Sequence, residues 1–211
     1  MRRPVTRAIV LTAAVLALLV CVCGAWLGWH ARIWPRRFDV VAAGRLYRAG
    51  EVTPDQLARL QRDYRVGRVI SLLSADAPET RAERDAALRL GIDWQNIPLR
   101  GNGASTPADR DRLRDLLTQP DAPPTLVHCD AGVNRTGLAV GMYRLHCEHW
   151  TLEQVLAELR RTDFEDLPKH ENLRAALAAE AELAAPPAPA PDTQNNRGPV
   201  PEHASPAGGG R

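Results

Sequence analysis

The sequence predicts an α/β fold: a three-layer sandwich in which a small, mostly parallel sheet is flanked by helices, with one transmembrane helix ahead of it. Three observations predict it. Short apolar runs at 68–73, 92–99 and 125–128 alternate with helical stretches, the order that builds a parallel sheet through helical crossovers. The run at 68–73 is β-branched and apolar enough for a strand buried on both faces. Ahead of them lies a charge-free run at 8–29, about the length that crosses a bilayer.

In chain order, residues 8–29 come first. They end in Trp26 and Trp29, with Trp34 just beyond, and are flanked by Arg2, Arg3 and Arg7 on one side and Arg32, Arg36 and Arg37 on the other. At about 1.5 Å per residue the run covers a hydrocarbon layer of ~30 Å, and aromatic and basic flanks suit a signal anchor. Cys23-Gly24-Ala25 is a mediocre cleavage site, and Val20 before Cys21 does not suit a lipoprotein signal. The expectation is an uncleaved single-pass membrane protein with residues 1–37 as anchor and flanks. Both flanks are basic, so the side facing the domain is undetermined. Strands are expected at 45–49, 68–73, 92–99 and 125–128. Helices are expected from Pro54, with Thr53 as N-cap, to 63; from Pro78 to 90, stopped by Gly91; and at 107–117, 135–148, 151–161 and 170–185. Residues 38–185 thus form one domain. From Pro186 to 211 the sequence turns to Pro, Ala, Gly, Asn and Ser, too poor in large apolar residues to offset its ordering entropy, so this tail is expected to be disordered.

A chain of 211 residues accommodates one catalytic domain. Its 27 basic and 25 acidic residues leave a net charge of +2, which gives no reason to expect a nucleic-acid partner. Cys21 and Cys23 lie in the first apolar run and Cys129 and Cys147 on separate elements, which is no disulfide framework. The six His residues are scattered without zinc-site spacing, so no metal is expected.

The informative segment is Thr125-Leu-Val-His128-Cys129-Asp130-Ala131-Gly132-Val133-Asn134-Arg135-Thr136-Gly137, a buried strand that enters a tight loop and then a helix. Such a loop points backbone N–H groups inward, and the helix dipole adds about half a positive charge there. Residues 129–135 therefore form a cradle for phosphate, and the same field favours the thiolate of Cys129, the nucleophilic form. Arg135 offers a planar two-pronged contact to phosphoryl oxygens that Lys could not reproduce. Gly132 and Gly137 permit tight turning and close approach. Thr136 stands near enough to support the thiolate.

These residues resemble the signature of the cysteine-dependent protein tyrosine and dual-specificity phosphatase superfamily. The resemblance extends to Gly44-Arg-Leu-Tyr-Arg-Ala-Gly50, Arg68-Val-Ile-Ser-Leu-Leu73, Ile97-Pro-Leu99, Tyr143-Arg144 and Leu156-Ala-Glu158, and is closest to the small bacterial dual-specificity branch. It implies the cysteine phosphatase fold over residues 38–175 or so. It also implies hydrolysis of phosphate monoesters, of phosphotyrosine, phosphoserine or phosphothreonine in proteins, through a phosphocysteine at Cys129 without metal or cofactor. His128 then corresponds to a residue that orients the loop.

One part of the family pattern is missing. The superfamily usually supplies an Asp general acid from the loop after the strand ending at Ile97-Pro98-Leu99, but here that loop reads Arg100-Gly-Asn-Gly-Ala-Ser-Thr-Pro107. Asp130, inside the phosphate loop, is the preferred candidate; Asp109 and Asp111 follow, with a surface role favoured for both. Protonating the leaving oxygen typically contributes ~10²–10⁴-fold, least where the leaving group is itself a phosphate. The alternative function is therefore hydrolysis of a phosphoanhydride such as an inositol pyrophosphate, which some fungal and plant relatives perform. A catalytically silent phosphate-binding module is a further alternative, disfavoured by the intact Cys129, Arg135 and Thr136. Arsenate reduction or sulfur transfer lacks a nearby resolving thiol, since Cys147 reads as core.

Overall fold

The computed structural model describes residues 3–164 and 168–185, with the side chains of the first helix described at 12–26, 28, 29 and 33. The expected disordered tail, 186–211, lies outside the described residues. In order the elements are α1 (Arg3–Ile33), β1 (Asp39–Ala42), β2 (Leu46–Ala49), α2 (Pro54–Tyr64), β3 (Arg68–Ser71), α3 (Pro78–Arg89), β4 (Asp93–Asn96), α4 (Pro107–Thr118), β5 (Thr125–His128), α5 (Asn134–Cys147), α6 (Leu152–Arg161), a 3₁₀ turn (Pro168–His170) and α7 (Glu171–Ala184).

The sheet has the order β1-β2-β5-β3-β4, with β1 antiparallel and the other four strands parallel. Strand alternation sends successive side chains to opposite faces, and both faces are covered. Tyr47, Val69 and Leu126 pack on one face with Leu57 and Leu60 of α2 and Ala86 and Ala87 of α3. Leu46, Ile70 and Val127 pack on the other with Leu113 of α4, Leu138 of α5 and Leu173 of α7. The three-layer sandwich is thus built on two separate cores. β5 lies between β2 and β3, and the crossover helices change face around it. This is the switch point at which open α/β sheets bind ligands, outside the carboxyl ends of the strands.

Two expectations change. β1 was not anticipated: it is a short edge strand, interrupted between Val40 and Ala42, and Val40 is 43% exposed, so it carries little apolar pattern. The strand expected at 92–99 contracts to Asp93–Asn96, although Ile97 N–H and Leu99 N–H still donate to Ser71 O and Leu72 O at 3.0 and 3.2 Å; Pro98, without an N–H, cannot continue the ladder.

The membrane expectation is corrected. A helix forms over the apolar run, but among the described residues no helix is long and apolar enough to cross a membrane. The single-pass localisation and the membrane as a partner fall with it. Trp34, just beyond the run, joins the domain: it stacks on Phe38 at 5.5 Å, meets Tyr64 edge-on at 5.8 Å and lies under Arg59.

Candidate active site

Cys129 directly follows β5 and is buried. The loop beyond it lies against the end of β2. Gly132 has φ of 72°, and a Cβ there would fall 2.6 Å from Gly50 N and 2.7 Å from Ala49 C, so only glycine fits. A Cβ on Gly50 would fall 2.8 Å from Asp130 O. The two glycines let loop and strand end touch.

The loop's carbonyls are held on its outer side. Arg48 Nη2 donates to Gly132 O at 2.8 Å, Arg37 Nη1 to Ala131 O at 3.1 Å, and Glu51 N–H to Asp130 O at 2.9 Å. Across a planar trans peptide the following N–H points opposite to its carbonyl, so those of Ala131, Gly132 and Val133 are turned the other way. Gly132 N–H accordingly donates to Cys129 Sγ at 3.3 Å. Arg48 is 3% exposed. Burial pushes its pKa below the usual arginine value, while the negative charges of Glu158, Asp39 and Cys129 act in the opposite sense.

The helix beyond the loop starts without the threonine cap that three other helices carry. α2, α4 and α6 open with complete capping boxes built on Thr53, Thr106 and Thr151. α5 opens at Val133 with no side-chain cap. Its first-turn N–H groups lack intrahelical acceptors, and a helix start of this kind suits an anion. Arg135 is directed by its Nη1, which lies 3.3 Å from Leu72 O and 3.5 Å from Leu99 O, just past the ends of β3 and β4.

The remaining expected residues are placed as follows. Thr136 is fully buried and its hydroxyl donates to Ala49 O at 3.4 Å, so its proton is turned to β2 rather than to Cys129. Asn134 Nδ2 lies 2.9 Å from His170 Nε2, while Asn134 Oδ1 is buried without a partner. His128 faces α3, where Nε2 lies 2.9 Å from Glu83 Oε2. Asp130 is exposed on the loop. Asp109 is consumed by the cap of α4: its Oδ2 accepts from Thr106 N at 2.9 Å and Thr106 Oγ1 at 2.7 Å. Asp111 is an exposed surface acid paired with Arg114. The preference for surface roles at these two positions agrees with this geometry.

Sequence reasoning passed over Arg48, Arg37, Glu83 and His170. Arg48 lies within the quoted Gly44–Gly50 motif, and period-two alternation from Leu46 would have put it on the face of α5. Glu83 was the other available signal, a carboxylate in register with Thr80, Ala86 and Ala87 on the buried side of α3.

A thiol at the end of the central parallel strand, ringed by a loop whose N–H groups turn inward beneath an uncapped helix carrying an arginine, is the arrangement implied by the resemblance to the cysteine-dependent protein tyrosine and dual-specificity phosphatase superfamily. The chain is similar to known proteins of that kind over part of its length. Over 121 residues it is 33% and 32% identical to the dual specificity protein phosphatase TpbA of two Pseudomonas aeruginosa strains. That alignment covers 57% of this chain and 52% of each relative, so the chain spans about half the length of the curated relatives it matches. No family model matches it. Among solved structures it shares the fold of the SIW14 catalytic core (TM-score 0.58, 19% identity, 71% of this chain and 91% of that one). It likewise shares the fold of P. aeruginosa TpbA (TM-score 0.53, 22% identity, 74% and 98%).

Proposed function

We propose that the chain hydrolyses phosphate monoesters of phosphorylated proteins through a phosphocysteine intermediate. The observation that carries this reading is the Gly132 N–H on Cys129 Sγ at 3.3 Å, at the uncapped start of α5. In the first step the Cys129 thiolate attacks phosphorus in line; the S–P bond forms, the P–O bond breaks, and the leaving oxygen takes a proton. In the second step water attacks phosphorus, the S–P bond breaks, and inorganic phosphate leaves. The loop N–H groups of residues 130–135 and the Arg135 fork hold the equatorial oxygens through both, where charge is greatest. His128 and Thr136 support the loop. Asp130 is the general acid in this reading. It is the one of the three candidate acids that lies in the loop itself.

The relatives support this substrate class: one is named a dual specificity protein phosphatase, and a variant of it has been crystallised with pTyr. A second reading is favoured by a specific observation. The loop at 100–106 carries no carboxylate, Asp109 is engaged in a cap and Asp111 in an ion pair. A phosphoanhydride needs a proton on its leaving group least, and the SIW14 structure from S. cerevisiae is described as a PP-IP phosphatase. Parallel turnover of a phosphotyrosine peptide, a phosphoserine peptide and an inositol pyrophosphate by the full chain decides between them. Faster hydrolysis of the peptides is expected; hydrolysis of the pyrophosphate alone would replace the first reading with the second, and no turnover of any would leave the silent binding module.

A further inference from the structure

Beneath the phosphate loop, on the α2–α3 side of the sheet, lies a patch of polar side chains sealed from solvent. His128 is 0% exposed and Glu83 is 1% exposed. Glu83 bridges two rings: Oε1 accepts from Trp94 Nε1 at 2.8 Å, and Oε2 lies 2.9 Å from His128 Nε2. The second contact has the distance of a hydrogen bond but not its alignment, and His128 Nδ1 has no partner. Ser71 Oγ and Thr80 Oγ1, from the neighbouring strand and the same helix, are likewise buried and unpaired.

A carboxylate is costly to bury unless something engages it, and α3 needs none here for packing, since Ala86 and Ala87 fill the same buried side. What Glu83 reaches is the ring of the residue that immediately precedes the thiol. With Nδ1 unpaired, the contact with Glu83 is the one polar restraint on that imidazole among the described residues. We propose that Glu83 is a positioning residue for the nucleophile, acting through His128, with Trp94 fixing the carboxylate. This rests on Cys129 being the nucleophile. If the ring turns, the strand end carrying Sγ is freed, and a displacement near 1 Å at an attacking atom can cost on the order of a hundredfold in rate. Phosphate binding, which uses the loop N–H groups, is spared.

The test reads the thiol directly, so it does not require turnover. In the full chain, alkylation by iodoacetamide is followed at Cys129 by peptide mass spectrometry, with Cys147 as internal control. Glu83→Gln keeps the shape and the acceptor for Trp94 but removes the charge. It is expected to slow alkylation of Cys129 at least fivefold and leave Cys147 unchanged. His128→Gln should slow it comparably, and the double variant no further, because the two act in one chain of contacts. In turnover, kcat falls with KM unchanged. Alkylation at the unaltered rate in Glu83→Gln, or additive losses in the double variant, overturns the proposal. Should Glu83→Gln not fold, Trp94→Phe, at a partly exposed site, releases the carboxylate more gently; a smaller slowing at Cys129 alone is expected, and wild-type reactivity there overturns it. Intact alkylation differences without hydrolysis of any phosphate would overturn the functional reading and leave this one standing.

Discussion

At the residue scale the proposed chemistry rests on Cys129 and Arg135, and the two are tested by substitutions that preserve shape or charge. Cys129→Ser keeps a side chain of similar size but one far harder to ionise. It should abolish turnover of an aryl phosphate while inorganic phosphate still binds, as calorimetry would show; residual turnover near the parent rate would mean that another group attacks. Arg135→Lys keeps the charge and loses the planar fork that contacts two oxygens at once. More than ~10-fold in kcat/KM should be lost, and near-normal kinetics would remove the loop from the reaction. The strand, tight loop and helix start that carry these two positions were readable in advance, because apolar runs and glycines mark them locally without knowledge of the rest of the fold. The partners that hold the loop were not. Arg48 and Arg37 reach Gly132 O and Ala131 O across sequence separations of 84 and 94 residues, and nothing local to either arginine reveals such a contact.

At the element scale the helix starts are of two kinds. Three carry a threonine cap with a side chain at N3 closing the box, and the one that meets the loop after Cys129, like those of α3 and α7, carries no side-chain cap. Asp109 belongs to the first kind. Asp109→Asn should therefore cost about 0.5–1 kcal/mol in urea unfolding, the range of a weakened cap. Its rates on phenyl phosphate and on an activated aryl phosphate should stay in the parent's ratio. A loss confined to phenyl phosphate would instead identify Asp109 as the acid, since only a poor leaving group needs its proton. The helices and parallel strands were legible to within a few residues because caps, glycines and apolar runs mark them locally. β1 was not, because a short exposed edge strand has neither. The apolar run at 8–29 did mark a helix, but among the described residues no helix is long and apolar enough to cross a membrane, and Trp34, just beyond the run, packs on Phe38 and Tyr64 within the domain.

At the scale of the whole molecule, the helices of the α5 face are locked by one buried carboxylate. Glu180 of α7 is 1% exposed and meets Arg110 Nε at 3.2 Å and Arg114 Nη1 at 2.8 Å, both from α4, and His146 Nε2 of α5 at 2.9 Å. Three helices are joined at a point near the end of α5, about 18 Å along that helix from the phosphate loop at its start. Removing one member of a buried charge cluster strands the others in low dielectric, which costs ~3–5 kcal/mol, a large part of the ~5–15 kcal/mol that holds a domain together. Glu180→Ala should therefore lower the urea midpoint steeply. The loop contacts of Arg48, Gly132 and Cys129 come from β2 and β5 and do not pass through this cluster, so the fraction that remains folded should keep its kcat/KM. A parallel loss of activity per folded molecule would show that α7 and α4 hold the catalytic loop as well as the core. An unchanged midpoint would show that the arginines and His146 find solvent when Glu180 is gone, and that the cluster contributes nothing net to the fold.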